Sequence, residues 1–315
     1  MRALALAQPG GALALTRLPV PRPAAEQLLV RVLASSINPI DVRVATGRYP
    51  GGDYAYPLVP GFDFAGVVEG TGPEATRFRA GDEVLGYWDA PRFHRGTWAE
   101  YVTVGENRFV ASKPAGMSFD EAGAVPLAGV TALLMLDACA PAAGETVLIV
   151  GAGGAIGGYA VQAAARAGAT VIATAKPGHE HRLRGLGATE TLDYTRQDIV
   201  DAVRDRFPAG IDALLDLPNG RREVARLSTL VRDGGRVASA CFGADVAGLA
   251  ERAVAATNVA ASTCDPRLVA RLAALVESGE LSIGYDEVCG LEGAPGAVRD
   301  IAAGASRKTV IRVSR

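Results

Sequence analysis

Cysteine is scarce in this chain, and the four present, Cys139, Cys241, Cys264 and Cys289, lie far apart with no Cys-x-x-Cys pair among them. That spacing excludes a disulfide scaffold and a four-cysteine zinc lobe, so they read as reduced, buried thiols. Histidine is scarcer still: His94, His179 and His181 are all there are, and none clusters with a cysteine. No stretch of about 18 residues stays apolar without a charge or a glycine or proline break, which excludes a membrane-spanning helix. Neither sign of charge dominates, with 32 basic against 34 acidic side chains and no basic block, so nucleic acid is not an expected partner. The opening Met1–Ala7 has the apolar look of a leader, but Gln8–Gly11 interrupts it, and its alternation reads as a first strand. A soluble cytoplasmic protein of two domains is the expectation for 315 residues of this composition.

Glycine is abundant, and its placement carries the first functional signal. Thr146–Val150 is a continuous apolar run of the kind that forms a parallel strand buried on both faces. It breaks into Gly151, Ala152, Gly153 and Gly154, then into an alanine-rich segment containing Ala155, Ile156 and Gly157. The order is strand, turn, helix. Glycines at 151, 154 and 157 let the backbone turn sharply and approach a pyrophosphate, while the following helix offers N–H groups and a favourable dipole. A glycine triplet alone is only a hypothesis, but a second strand, Thr170–Ala175, follows within the span of a βαβ unit. The site is therefore expected to bind a dinucleotide, with Gly154 and Gly157 serving the cofactor rather than the fold.

Which dinucleotide depends on the end of that second strand. An NAD site would place an acid there to accept from the ribose hydroxyls. Here no carboxylate appears before Glu180, and Lys176, with His179, His181 and Arg182 beyond it, makes a basic rim suited to a 2′-phosphate. NADPH is the expected cofactor, with Lys176 as its selector; the alternative is that Lys176 is a solvated loop lysine.

The two ends of the chain differ in character from its middle. From about residue 122, strand candidates at 146–150, 170–175, 190–194, 211–216, 235–240 and 258–262 alternate with helices, which implies a doubly wound parallel sheet. Before it, short strands at 27–34, 64–70, 83–86 and 98–104 are separated by turns such as Tyr49–Gly52, a mainly antiparallel β pattern. Lys308–Val313 is a lone strand expected to return to the first domain. The expected fold is thus α/β, a Rossmann domain (122–278) inserted in a mainly antiparallel β domain (1–121 and 279–315).

Several motifs in order carry a resemblance over almost the full length: Ser36-Ile-Asn-Pro-Ile-Asp41, Pro60-Gly-Phe-Asp-Phe-Ala-Gly66, Gly81-Asp-Glu-Val84, Gly96-Thr-Trp-Ala-Glu-Tyr101, Ala128-Gly-Val-Thr131, the glycine turn, Leu186-Gly-Ala188 and Gly234-Gly-Arg236. The chain resembles the zinc-independent medium-chain dehydrogenase/reductases, in their quinone oxidoreductase (zeta-crystallin-like) branch. The resemblance implies a GroES-like β domain beside the Rossmann domain, and a homodimer. Zinc-dependent relatives place a cysteine near Ile37–Asn38 and Gly-His-Glu where this chain has Gly61-Phe62-Asp63. With neither thiolate nor imidazole there, no metal is expected, and the implied reaction is hydride transfer from NADPH to a quinone or conjugated enone.

The same resemblance implies roles for individual residues. Asn38 and Thr131 would contact the nicotinamide-ribose end, and Tyr49 would line the substrate pocket, its phenol donating to the developing oxyanion. Asn38 and Tyr49 are thus the catalytic candidates. Gly151, Gly154, Ala155, Ile156, Gly157, Lys176, Phe242 and Lys308 would bind the cofactor, Lys308 near its phosphates. Other readings stay open. Asn38, Pro39 and Asp41 also spell an N-cap, a proline at N1 and an acidic N3, and Tyr54 or Tyr56 could face the substrate in place of Tyr49. Asp41 and Asp63 read as structural hydrogen-bond partners. The competing functions are an enoyl thioester reductase of a biosynthetic pathway and a non-catalytic NADPH-binding protein.

Overall fold

The computed structural model describes residues 1–49, 52–89, 92–305 and 307–314, so Pro50 and Gly51 of the Tyr49–Gly52 turn lie outside the described residues. The chain divides into two units, Met1–Ala128 with Asp265–Arg315, and Gly129–Cys264.

The first unit opens with the hairpin β1 (Arg2–Ala5) and β2 (Ala14–Arg17), then β3 (Gln27–Ile37) and helix α1 (Pro39–Ala45). Strands β4 (Tyr54–Val59), β5 (Asp63–Thr71), β6 (Glu83–Tyr87), β7 (Phe93–Arg95), β8 (Tyr101–Gly105) and β9 (Val110–Ser112) precede helix α2 (Phe119–Ala124). Helix α3 (Pro126–Cys139) leads into the second unit: β10 (Thr146–Val150), α4 (Ala155–Arg166), β11 (Thr170–Ala175), α5 (Glu180–Gly185), β12 (Glu190–Asp193), α6 (Ile199–Arg206), β13 (Ile211–Asp216), α7 (Arg221–Ser228), β14 (Val231–Ser239), α8 (Val246–Ala250) and β15 (Ala255–Asn258). The return to the first unit comprises α9 (Arg267–Glu277), β16 (Glu287–Gly290), α10 (Ala294–Ala302) and β17 (Thr309–Arg312).

The first unit's main sheet runs β16-β17-β3-β5-β6-β9, with β8 also paired to β3. β3 alternates buried and half-buried residues along its first half and is buried throughout its last four residues, where α2 covers it. The fit is close: a Cβ on Gly123 of α2 would stand 2.8 Å from the Ala34 Cβ. β17 pairs antiparallel with β3, Thr309 opposite Ile37, and so brings the end of the chain back to this sheet. Helix α9 differs from expectation. It belongs to the first unit and packs on β9, so the boundary expected at 278/279 moves to 264/265. Its buried stripe, Val269, Leu272 and Ala273, gives the physical reason: an amphipathic helix follows the sheet that covers its apolar side.

The second unit's six strands are parallel in the order β12-β11-β10-β13-β14-β15, the doubly wound arrangement. Val147, Leu148 and Ile149 of β10 and Ala213, Leu214 and Leu215 of β13 have no exposed surface, which is why their sequences lack polar alternation. The sixth strand lies at Ala255–Asn258, earlier than the 258–262 expected, and residues 261–263 form a short 3-10 turn instead. Among the described residues no helix is long and apolar enough to cross a membrane.

The order of strands reverses at β10, between β11 and β13, and the glycine turn sits at the carboxyl end of that strand. Gly151 adopts a φ of 83°, a conformation that side chains resist. Its N–H donates to Thr174 Oγ1 and the Ala152 N–H to Thr174 O, both at 3.1 Å, so the end of β11 anchors the turn. The two downstream glycines do different jobs. A Cβ on Gly157 would lie 2.4 Å from Ala152 Cα and 2.6 Å from Gly151 O, whereas one on Gly154 would meet nothing nearer than Gly151 O at 3.6 Å. Gly157 therefore also serves the fold, since only a glycine there lets the turn pack against α4. Denaturant titration should therefore show Gly157→Ala losing ~1–3 kcal/mol or more by overpacking, with Gly154→Ala, at an N-cap, losing about 1 kcal/mol or less.

Candidate active site

In the first unit, topology gathers residues far apart in sequence around one ammonium. Ser36 is the last residue but one of β3, Asn38 precedes α1, Asp63 opens β5, and Lys308 leads into β17, which is paired to β3. Lys308 Nζ donates to Ser36 Oγ at 2.7 Å, Asn38 Oδ1 at 2.8 Å and Asp63 Oδ2 at 3.2 Å. Three donors meet three acceptors. Asp63 Oδ2 also accepts from Ser36 Oγ at 2.6 Å and Asn38 Nδ2 at 2.8 Å, and its Oδ1 from the Leu127 N–H at 2.7 Å. The Asp63 side chain has no exposed surface and that of Lys308 only 5%, so removing either partner would strand a charge in the interior.

This geometry bears on two expectations. The Lys308 ammonium, expected near the cofactor phosphates, is buried and engaged by three acceptors within the first unit. Asn38 has its side-chain amide fixed from both sides, by Lys308 and Asp63, while its N–H donates to Asp41 Oδ2 at 2.6 Å. The helix-start reading of Asn38-Pro39-Asp41 thus holds on its backbone side, with Asp41 as the acceptor. Asp41 itself is fully buried, and its Oδ1 has no hydrogen-bond partner among the described residues. Burial, reinforced by the charge of Asp63, pushes its carboxyl up to about 7 against the opposing pull of the Asn38 hydrogen bonds and Lys308. Sequence patterning could place these residues at strand and helix ends. It could not bring residue 308 to residue 36.

Beyond α1, Tyr49 is half-buried in an aromatic cluster with Tyr54, Tyr56, Phe62 and Phe93 over Leu6, Val44 and Leu58. Its ring meets Phe93 edge-on at 5.3 Å between centroids, and its carbonyl accepts from the Tyr54 hydroxyl at 3.1 Å. Tyr54 is thereby occupied in holding the loop, which leaves Tyr49 and Tyr56 as the phenols without a hydrogen-bond partner among the described residues. His94 on β7 is driven toward its neutral form, first by burial and then by the charges of Arg95 and Arg92.

In the second unit, Gly154 caps α4, and the first bond into the helix runs from the Gly158 N–H to Gly154 O. The N–H groups of Ala155, Ile156 and Gly157 precede that bond and so have no partner inside the helix. Together with the space left open at Gly154, they form the cradle that a pyrophosphate needs, and a nicotinamide dinucleotide fits it. Around the turn, Arg182 Nη2 donates to Gly153 O at 2.6 Å, a contact that sequence reading did not anticipate. Lys176 is exposed, and its ammonium makes no hydrogen bond or ion pair among the described residues. At the adjoining strand ends Asp216, buried at the close of β13, accepts from the Asn219 N–H and side-chain amide. Phe242 is 61% exposed at a φ of 57°, and Thr131 is buried on α3.

Residues 24–115 match the family model of the alcohol dehydrogenase GroES-like domain, and residues 186–311 that of the zinc-binding dehydrogenase. The 2-methylene-furan-3-one reductase of Solanum lycopersicum is 35% identical over 67% of this chain and 54% of its own length. The chloroplastic NADPH-dependent alkenal/one oxidoreductase of Arabidopsis thaliana is 34% identical over 62% of this chain and 52% of its own. The chain therefore spans about half the length of these two relatives. Among solved structures, the quinone oxidoreductase of Coxiella burnetii superposes with a TM-score of 0.85 at 26% identity, covering 99% of this chain and 98% of that one. The chain belongs to the medium-chain dehydrogenase/reductase superfamily. The zinc implied by the second family description does not fit the residues here: no cysteine or histidine stands in 35–41 or 60–66, and Asn38 and Asp63 hold an ammonium.

Because Asp41 rises from the ordinary 3.8 to about 7, the folded chain keeps a proton that the unfolded chain releases between those values. Unfolding free energy is then expected to fall by about 1.4 kcal/mol per pH unit across that window from this group, ~4 kcal/mol as an upper bound. Asp41→Asn keeps an acceptor for the Asn38 N–H but carries no charge. Urea titrations at pH 4, 5, 6 and 7 should show the variant gaining on the wild type as pH rises; parallel curves would place the Asp41 titration outside this range.

Proposed function

We propose that this protein is an NADPH-dependent oxidoreductase that reduces a quinone or a conjugated enone without a catalytic metal. The observation that carries the reading is the glycine turn, open at Gly154 in front of the first-turn N–H groups of α4. The absence of an acid at the end of β11 and the basic side chains after it favour the phosphorylated dinucleotide. The relatives' names supply the substrate class: a methylene-furanone, alkenals and enones, and a quinone all have an electron-poor carbon conjugated to a carbonyl. NADPH, when bound, supplies a hydride to such a carbon.

The chain's own part is to bind, to orient and to place a proton donor. Gly151, Gly154, Ala155, Ile156 and Gly157 shape the pyrophosphate cradle. Asn38, its amide held by Lys308 and Asp63, offers a side chain that loses no further freedom on contact with a ligand. Thr131 and Phe242 stay assigned to the cofactor on the family resemblance. Tyr49 offers its phenol to the oxygen on which charge develops, while Phe93 steadies the ring. We infer in addition a homodimer paired along edge strand β15, where exposed backbone groups favour a second strand.

The test is NADPH oxidation followed with 1,4-benzoquinone, 9,10-phenanthrenequinone, a 2-alkenal and an enoyl thioester, before and after treatment with a chelator. Turnover of a quinone or the alkenal that survives chelation is expected. Turnover of the thioester alone would make the protein an enoyl reductase, and tight NADPH binding without turnover of any acceptor would make it a binding protein. Within the active enzyme, Tyr49→Phe should lower kcat on the order of 100-fold while leaving NADPH affinity unchanged; an unchanged kcat would assign Tyr49 to packing.

A further inference from the structure

We propose that Arg182, rather than Lys176, selects the cofactor by receiving the 2′-phosphate of NADPH, an inference that rests on the dinucleotide reading of the glycine turn. In a βαβ dinucleotide unit the adenosine ribose lies where the glycine turn approaches the end of the second strand. Here that place has definite walls. A Cβ on Gly153 would stand 3.5 Å from His179 Nδ1 and 3.9 Å from the Cβ of Ala175, the last residue of β11. The His179 ring, Ala175 and Gly153 therefore line one place, near enough that a Cβ on Gly153 would be in van der Waals contact with both.

Arg182 is tied to this gap and Lys176 is not. The guanidinium of Arg182 donates to Gly153 O at 2.6 Å, and its Nη1 lies 3.3 Å from where a Cβ on Gly158 would be, so it rests over the first turn of α4. One donor is thereby used, and the planar fork retains others for a phosphate, with the geometry suited to two parallel hydrogen bonds. Lys176 must fix a free, exposed side chain before it can serve, at an entropic cost that Arg182 has already met in part through the Gly153 bond. The nearest acid, Glu180, is held in its own loop, accepting from the Gly178 N–H at 2.7 Å.

Calorimetric titration of the full chain with NADPH, NADH, adenosine 2′,5′-bisphosphate and 5′-AMP separates the alternatives. Arg182→Gln is expected to weaken NADPH and the bisphosphate by about 10- to 100-fold, with NADH and 5′-AMP close to wild type. Arg182→Lys should recover part of that loss, and Lys176→Gln should leave the NADPH:NADH ratio nearly unchanged. An equal loss of NADPH and NADH in Arg182→Gln would make the arginine a brace for the turn and overturn the proposal. So would a ratio that responds to Lys176→Gln and not to Arg182→Gln. If the wild type bound neither dinucleotide, the cofactor reading would fall and this inference with it, an outcome distinct from binding without discrimination by Arg182. Circular dichroism and melting of each variant guard against misfolding, for which Arg182→Lys is the conservative control.

Discussion

The contact between the Lys308 ammonium and Asp63 closes the first unit. Its three acceptors come from the end of one strand, the cap of a helix and the start of another strand, while the lysine itself arrives from the far end of the chain. A single buried cation thus fixes where β3 ends, where α1 starts and how β17 docks. The arrangement is stable only because every proton and most lone pairs are used, since a partly satisfied buried network costs more than an apolar core. Asp41 marks the limit of that satisfaction. One of its oxygens takes the Asn38 N–H and the other has no partner among the described residues. Burial first, and then the neighbouring charge of Asp63, favour the neutral form of Asp41 and raise its pKa, while Asp63 and Lys308 are left to cancel each other.

The second unit depends on a different constraint, the absence of side chains at three places. Gly151 permits a left-handed residue, Gly157 permits contact between the turn and the helix behind it, and Gly154 keeps open the side from which a ligand would come. The division matters because the sequence pattern treats the three alike. Spacing identifies a turn, but only the direction of each missing Cβ tells whether it would strike protein or empty space.

What was legible in the sequence follows from the range of the interactions involved. The apolar runs of β10, β11 and β13 announce a parallel sheet because burial on both faces writes itself into consecutive residues. The helix start at Asn38-Pro39-Asp41 was readable for the same reason, as its partners lie three residues apart. The acceptors of Lys308 were not legible, because nothing local distinguishes a lysine that opens a terminal strand on the surface from one whose ammonium is buried among residues some 270 positions away. Arg182 was noticed as one of several basic residues, and its attachment to Gly153 needed coordinates. Helix α9 was placed in the wrong unit since amphipathic periodicity says that a helix has a covered side and not which sheet covers it.

The ammonium also bears on the kind of chemistry the proposed reading allows. In zinc-dependent relatives the corresponding positions carry a thiolate and an imidazole, ligands to an ion that can accept a substrate oxygen as a further ligand. Lys308 brings one positive charge with three protons, all directed at Ser36, Asn38 and Asp63. A cation so occupied has nothing left to polarise a carbonyl. The activation must then reside in the acceptor, through conjugation that lowers the energy of adding a hydride, and in a neutral donor such as a phenol aimed at the oxygen that gains charge. On that argument the residues that hold the ammonium govern the reaction indirectly, by fixing the backbone from Ser36 to Asp41 on which Asn38 is carried.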